Sequence, residues 1–203
     1  GHIDFTYEVS RALAAVEGAI LLVDASQGIQ AQTIANIELA RAQKLTIIPA
    51  INKIDLAQAR IKETREEITA LLSCPNEDIL EISAKTGQGI DNLLAAVIGR
   101  IPPPQTNLQE SLQALIFDSE YSSHQGVIAY VRIMKGGVKE GVELKLIRAG
   151  IKFIAGEVGV FVPERKKIKD LVTGEIGYIA TNIKNPETLK VGDTISSGIS
   201  LQP

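Results

Sequence analysis

The hydrophobic period changes across Pro102-Pro103-Pro104, and that change confines the chain to two folded units of different class. Before the prolines, short continuous apolar runs alternate with stretches of helical spacing. After them, apolar residues recur at every second position. Three prolines followed by Gln105, Thr106 and Asn107 cannot continue a helix and favour a stiff extended linker. The expected boundaries are residues 1–101 for the first unit, 102–110 for the linker and 111–203 for the second unit. Units of this size bury real but small cores.

In the first unit, Phe5, Val9, Ala12, Leu13 and Val16 recur at helical spacing, so residues 4–16 read as an amphipathic helix. Ala19 to Val23 is a continuous apolar run ended by Asp24 and Gly28, which predicts a strand buried on both faces. A helix is expected over 30–43, a strand over 46–51, a charged helix over 58–72, a strand over 79–82 and a helix over 90–101. Strands alternating with helices through short connections predict right-handed βαβ units, hence a parallel sheet covered by helices. Pro49 requires a place in its strand where no ladder N–H is needed.

In the second unit the alternation is clearest at Val127, Ala129, Val131 and Ile133, interleaved with Ile128, Tyr130, Arg132 and Met134, before a tight turn at Gly136-Gly137. Further short strands are expected at 142–147, 153–158, 176–181 and 192–195. Strands at such intervals predict an antiparallel β-barrel, whose closure removes exposed edges.

Composition narrows the function classes. A net charge of −3 and a pI near 5.5 exclude the broad basic field of a protein that grips nucleic acid by general phosphate neutralisation, so no DNA partner is expected and any RNA contact must be local. Cys74 is the single cysteine and no metal-ligand spacing surrounds it, which argues against disulfides and zinc and favours a reducing, cytoplasmic interior. No apolar run is long enough to span a bilayer. Peripheral attachment to the cytoplasmic face of a membrane needs no span and stays open.

Chemistry concentrates after two of the expected parallel strands, at the sheet edge where α/β folds bind ligands. Asn52-Lys53-Ile54-Asp55 suits a guanine base: a carboxylate at Asp55 can accept from both the N1 and exocyclic N2 donors, a pair that adenine does not offer. Asn52 can donate and accept at once, and the aliphatic stem of Lys53 can cover a ring face. Asn and Asp near a helix start also serve as simple caps. Ser83-Ala84-Lys85-Thr86-Gly87 arrives at the same edge after the next strand, with Ala84 small enough for its N–H to approach a base O6 and Lys85 able to cover the opposite ring face. Its bland alternative is a Ser/Thr turn capping the following helix. In the second unit Arg165, Lys166, Lys167 and Lys169 form the one dense basic run. It reads as a barrel loop that could meet RNA phosphates or could serve solubility alone.

The paired motifs resemble those with which regulatory GTPases read guanine. The stretch Val23-Asp24-Ala25-Ser26-Gln27-Gly28-Ile29-Gln30-Ala31-Gln32-Thr33 narrows the resemblance to translational GTPases, and Gly1-His2-Ile3-Asp4-Phe5 resembles the end of their Asp-x-x-Gly-His switch segment. Gly137 to Leu144 and Val191-Gly192-Asp193-Thr194 are similar to turns of the barrel domain in that family. The wording at Ile101 to Pro104, Leu112 to Ser119 and Val158 to Phe161 is closer to its elongation factor 4 branch, whose proposed roles are back-translocation or translational fidelity.

The resemblance implies GTP or GDP with Mg²⁺ as ligands, the ribosome as partner and GTP hydrolysis as activity. It assigns His2 to orienting the attacking water. No G-x-x-x-x-G-K-[ST] loop occurs in the sequence and the Asp expected near magnesium is absent. The expectation is therefore an N-terminally truncated chain, inactive by itself, that carries guanine recognition and a ribosome-docking barrel. A non-catalytic RNA- or protein-binding module is the competing reading, in which the α/β part merely supports the barrel.

Overall fold

A computed structural model describes residues 6–104 and 111–197. The chain separates into two compact units, Gly1–Pro102 and Pro103–Pro203. Among the described residues no helix is long and apolar enough to cross a membrane.

The first unit holds α1 (Thr6–Ala14), β1 (Gly18–Asp24), α2 (Ala31–Ala42), β2 (Thr46–Asn52), α3 (Ile61–Leu72), β3 (Leu80–Glu81) and α4 (Ile90–Arg100). The three strands are parallel in the order β1-β2-β3, as the alternation of runs and helices predicts. Alternate residues of the central strand feed opposite cores. Ile48 and Ala50 pack with Ile82 and Leu93 against α4, while Ile51 packs with Val23 and Ile68 on the α3 side. Pro49 is tolerated mid-strand because pairing with β3 begins one residue later, at Ala50.

Two expectations change here. β1 is not buried on both faces: Ile20 and Leu22 are 43% and 53% exposed. They lie opposite Ile48 and Ala50 in the ladder and so share their face, but the apolar cluster on that face includes neither of them. β1 is also an edge of the described sheet. The charged helix starts at Ile61 rather than Gln58. The preceding residues are used in turns, with the Ala59 N–H bonded to the Leu56 carbonyl, and the Arg60 N–H is tied to the Ala25 carbonyl at 2.8 Å.

The second unit is antiparallel: β4 (Gln113–Ser122), β5 (Gly126–Lys135), β6 (Gly137–Lys139), β7 (Glu143–Leu146), β8 (Lys152–Ile154), β9 (Val158–Phe161), β10 (Arg165–Lys167), β11 (Asp170–Val172), β12 (Ile176–Ala180) and β13 (Thr194–Ser196). Eight strands run β10-β9-β12-β5-β4-β13-β7-β8, and β11 pairs with β6. The sheet closes by a change of partner within the expected strand 153–158, which is therefore the end of one strand and the start of the next, parted at Gly156-Glu157. Ala155 is bonded to Gly141 and Val142 beside β7, and the next residue, Gly156, donates to the Ala180 carbonyl of β12. That switch joins the two sides of the curled sheet.

Val127, Ala129, Val131 and Ile133 point into the barrel core with Leu144, Leu146 and Ile195, as period two requires. The opposite face of β5 is covered as well: Ile128 is buried against Tyr178 and Ala180, with Tyr130 and Phe161 packed alongside. The basic run is not a loop. Arg165, Lys166 and Lys167 form β10, an edge strand paired with β9 through Arg165 opposite Phe161 and Lys167 opposite Gly159. Consecutive Lys and Arg on an edge strand oppose pairing with other chains.

Candidate functional site

β2 and β3 are parallel neighbours, so the segments that leave their carboxyl ends emerge side by side. Asn52 ends β2, and its Oδ1 accepts the Ala84 N–H at 3.0 Å, stitching the two loops together. The Ile54 N–H reaches the Ile82 carbonyl at 3.4 Å, a weaker second stitch. Gly89 caps α4 in the left-handed region, and a Cβ there would stand 2.2 Å from the Glu81 carbonyl. The loop therefore needs glycine to turn so close to β3.

Ser83 is buried beneath this junction. Its hydroxyl donates to Asp55 Oδ1 at 2.6 Å and accepts the Thr86 N–H at 3.2 Å. The Ser83 bond is the largest influence on Asp55 and holds its carboxyl below the usual carboxylate range. Partial desolvation opposes it, while the backbone amide and the charges of Lys85 and Lys53 assist. One Asp55 oxygen is thus committed to the protein, which leaves Oδ2 and the remaining lone pair of Oδ1 as acceptors for a ligand.

Asn52, Lys53, Asp55, Leu56, Ala84 and Lys85 line one cavity of about 260 Å³. Whole small-molecule sites span roughly 300–1,000 Å³, so this cavity suits part of a ligand, such as a planar base, rather than all of it. Its lining suits a planar base with two edge donors: an ionised carboxylate to accept them, an amide held between the loops, and two lysine stems for the ring faces. Ser83 does not line it and acts from behind, through Asp55.

Lys53 has a left-handed backbone, φ 64°, a conformation that costs a non-glycine residue on the order of 1–3 kcal/mol and that persists where surroundings enforce it. Its Nζ lies 2.6 Å from Asp24 Oδ2, at the end of β1. The other oxygen of Asp24 accepts from the Ser26 N–H at 2.8 Å and from the Ser26 hydroxyl at 2.7 Å. The Lys53 bond first, then those from Ser26, hold the Asp24 carboxyl down at about 2. Sequence reasoning uses Asp24 as a strand terminator and as part of the stretch that resembles translational GTPases, gives it no role at the base, and does not single out Leu56. The position of Asp24 at the carboxyl end of a parallel strand is the available signal.

The remaining candidates lie elsewhere. His2 falls outside the described residues. Arg165, Lys166 and Lys167 are exposed on β10, and Lys169 is exposed just beyond it. Arg165 is bonded to Glu120 at 3.3 Å and stands 5.5 Å from the centre of the Tyr178 ring, and Lys167 pairs with Glu140 at 2.5 Å. Part of the positive charge of the run is therefore already compensated within the unit. Among the described residues no group of three or more acidic, histidine or cysteine side chains is placed to hold a metal ion.

Residues 1–103 match the family described as the elongation factor Tu GTP binding domain, and residues 126–196 match elongation factor Tu domain 2. Elongation factor 4 of Clostridium tetani is 52% identical over 196 residues, covering 97% of this chain and 33% of that protein. Elongation factor 4 of Bacteroides fragilis is 50% identical over the same length, with the same coverage. This chain thus spans about a third of the length of these relatives. Among solved structures, translation elongation factor SelB from Methanococcus maripaludis in complex with the GTP analogue GppNHp superposes with a TM-score of 0.82 at 24% identity, over 98% of this chain and 45% of the other. A bacterial selenocysteine-specific elongation factor gives 0.80 at 23% identity, over 98% of this chain and 34% of the other. At that identity the likeness is one of fold.

Proposed function

Because the chain belongs to the elongation factor Tu GTP-binding-domain family, we propose that it is the guanine-reading half of a GTP-binding domain joined to a ribosome-docking barrel, within a GTPase of the elongation factor 4 type. One observation carries the reading: the two separated motifs converge on a single base-sized cavity, with Asn52 bridging to the Ala84 N–H and Asp55 fixed by Ser83.

Asp55 accepts from guanine N1 and N2, and the stems of Lys53 and Lys85 enclose the ring from its two faces, while the Ala84 N–H, expected from the sequence to meet the base O6, is spent on Asn52 Oδ1 and holds the two loops together. An adenine in this position would leave the Asp55 carboxylate facing a lone pair. A site built for donors rejects such a base strongly, because its own polar atoms go unpaired.

Hydrolysis needs a phosphate cradle, which this sequence lacks. The activity, and the Mg²⁺ that would neutralise phosphate charge, therefore belong to the whole protein, and this chain alone does not turn over GTP. In the whole protein His2 orients the attacking water when the ribosome completes the site. Arg165, Lys166, Lys167 and Lys169 provide a local phosphate-contacting edge toward ribosomal RNA.

Calorimetric titration of GDP with Mg²⁺ into the full-length protein tests the base assignment. Asp55→Asn should weaken GDP binding and transfer preference to the xanthine nucleotide, whose N2-position oxygen pairs with an amide donor. An Asp55→Asn protein that keeps its preference for guanine would remove Asp55 from the base edge and end the reading.

A further inference from the structure

We propose that Asp24 is a positioning residue for nucleotide binding: clamped by Ser26, it anchors the ammonium of Lys53 and so presets the lysine stem as one wall of the base cavity. The inference rests on the guanine-site reading above and extends it to a residue outside both motifs.

The two oxygens of Asp24 have separate duties. Oδ1 takes both Ser26 donors and Oδ2 takes Lys53 Nζ, so the carboxylate cannot rotate without losing a bond. The loop that carries it is fixed from several directions. The Ala25 N–H donates to the Asn52 carbonyl at 2.9 Å, and the Arg60 N–H donates to the Ala25 carbonyl. The Arg60 guanidinium reaches the Ser26 carbonyl at 3.3 Å, and Glu67 Oε2 accepts the Ile29 N–H at 2.8 Å. Lys53, by contrast, is half-exposed and leaves its loop with a left-handed backbone. Its side chain would sample many rotamers if the ammonium were unheld.

An exposed ion pair contributes little to folding. Its effect is larger on a ligand that would otherwise have to freeze a long flexible side chain on binding, since a preset wall avoids that entropic loss. A lysine stem meets the face of a base and not its edge, so the benefit should not depend on which groups the base edge carries.

The test uses the full-length protein and nucleoside diphosphates. Asp24→Asn keeps an acceptor for Ser26 and removes the charge that holds Lys53. It should raise the dissociation constant of GDP roughly three- to tenfold, the range expected for one newly unrestrained side chain. Most of the change should appear in the dissociation rate, and by the same factor for inosine diphosphate, which lacks the exocyclic amino group. In a Lys53→Met background the effect of Asp24→Asn should vanish, because Asp24 acts through Lys53.

Unchanged GDP affinity in Asp24→Asn, or a loss that persists undiminished in the Lys53→Met background, would overturn the proposal. Where Asp24→Asn does not fold, Ser26→Ala keeps the carboxylate and loses one of its donors. Weaker GDP binding by that variant supports the proposal, and unaltered binding refutes it. The Asp55→Asn measurement separates the two levels. A shift to xanthine with a silent Asp24→Asn removes only the role of Asp24, and no shift removes the site reading itself.

Discussion

The Ser83 hydroxyl, buried beneath the loop that follows β3, donates at 2.6 Å to the Asp55 carboxylate that follows β2. Two loops 28 residues apart are coupled by this bond, and the group it holds is the one that would choose the base. Ser83 also accepts the Thr86 N–H, so its hydroxyl proton is directed at Asp55.

Ser83→Ala should therefore weaken GDP binding several-fold without changing the preference for guanine, because the carboxylate stays but loses its orientation. The pH dependence gives the distinguishing sign. The Asp55 carboxyl is held below its ordinary value, mainly by Ser83, so the wild-type site keeps its anion as pH falls and loses it only through that depressed value. In Ser83→Ala the loss of GDP affinity on acidification should begin at higher pH. Superimposable acid limbs for the two proteins would show that Ser83 does not tune Asp55.

Much of this site is legible in the sequence because its parts are local: an apolar run predicts the strand, and the residues after it predict the loop. The convergence of Asn52 on the Ala84 N–H follows once both strands are parallel neighbours. The Asp24–Lys53 pair is not legible, since it depends on the left-handed backbone at Lys53. The partner switch at Ala155–Gly156 is hidden for a different reason: Gly156 and Glu157 interrupt the apolar residues of 153–158, but such an interruption does not say that the chain leaves β7 for β12 there. β10 reads as a loop because three charged residues carry no strand pattern. Its pairing is imposed by β9. The exposure of Ile20 and Leu22 escapes the sequence because an apolar run reports what a strand can bury, not which neighbours cover it.

Tyr178 offers a test of barrel stability. The ring is buried, and its hydroxyl donates to Glu157 Oε1 at 2.7 Å. Tyr178→Phe should cost about 1.5–3 kcal/mol, as expected for losing a hydrogen bond to a charged acceptor. Burial first, then the Glu157 bond and charge, pushes the phenol up to about 12. A group raised in the folded state stabilises fully below its ordinary value, here 10, and its contribution disappears as pH rises through about 12. Tyr130 is also held up at about 12. In denaturant titrations the alkaline loss of stability should shrink in Tyr178→Phe without vanishing. An unchanged alkaline slope would mean that the phenol is not shifted by folding.

The edge strand β10 permits two explanations of its lysines that one pair of measurements separates. Lys166 makes no ion pair among the described residues, whereas Lys167 is held by Glu140 and Arg165 by Glu120. If β10 meets ribosomal RNA, Lys166→Glu in the full-length protein should weaken ribosome binding and flatten its salt dependence. The slope of log affinity against log salt should fall by roughly 0.7–0.9 for each phosphate that the variant no longer neutralises. Lys167→Ala should have the smaller effect, because part of that charge is already spent on Glu140. If the lysines serve only to keep the edge from pairing, ribosome binding and its salt slope should not change in either variant. Replacing Lys166 and Lys167 together by Thr would instead drive self-association, visible by sedimentation, because an uncharged edge offers its open N–H and C=O groups to another chain. Loss of ribosome affinity with a flattened slope assigns β10 to RNA; an unaltered slope with new association assigns it to edge protection.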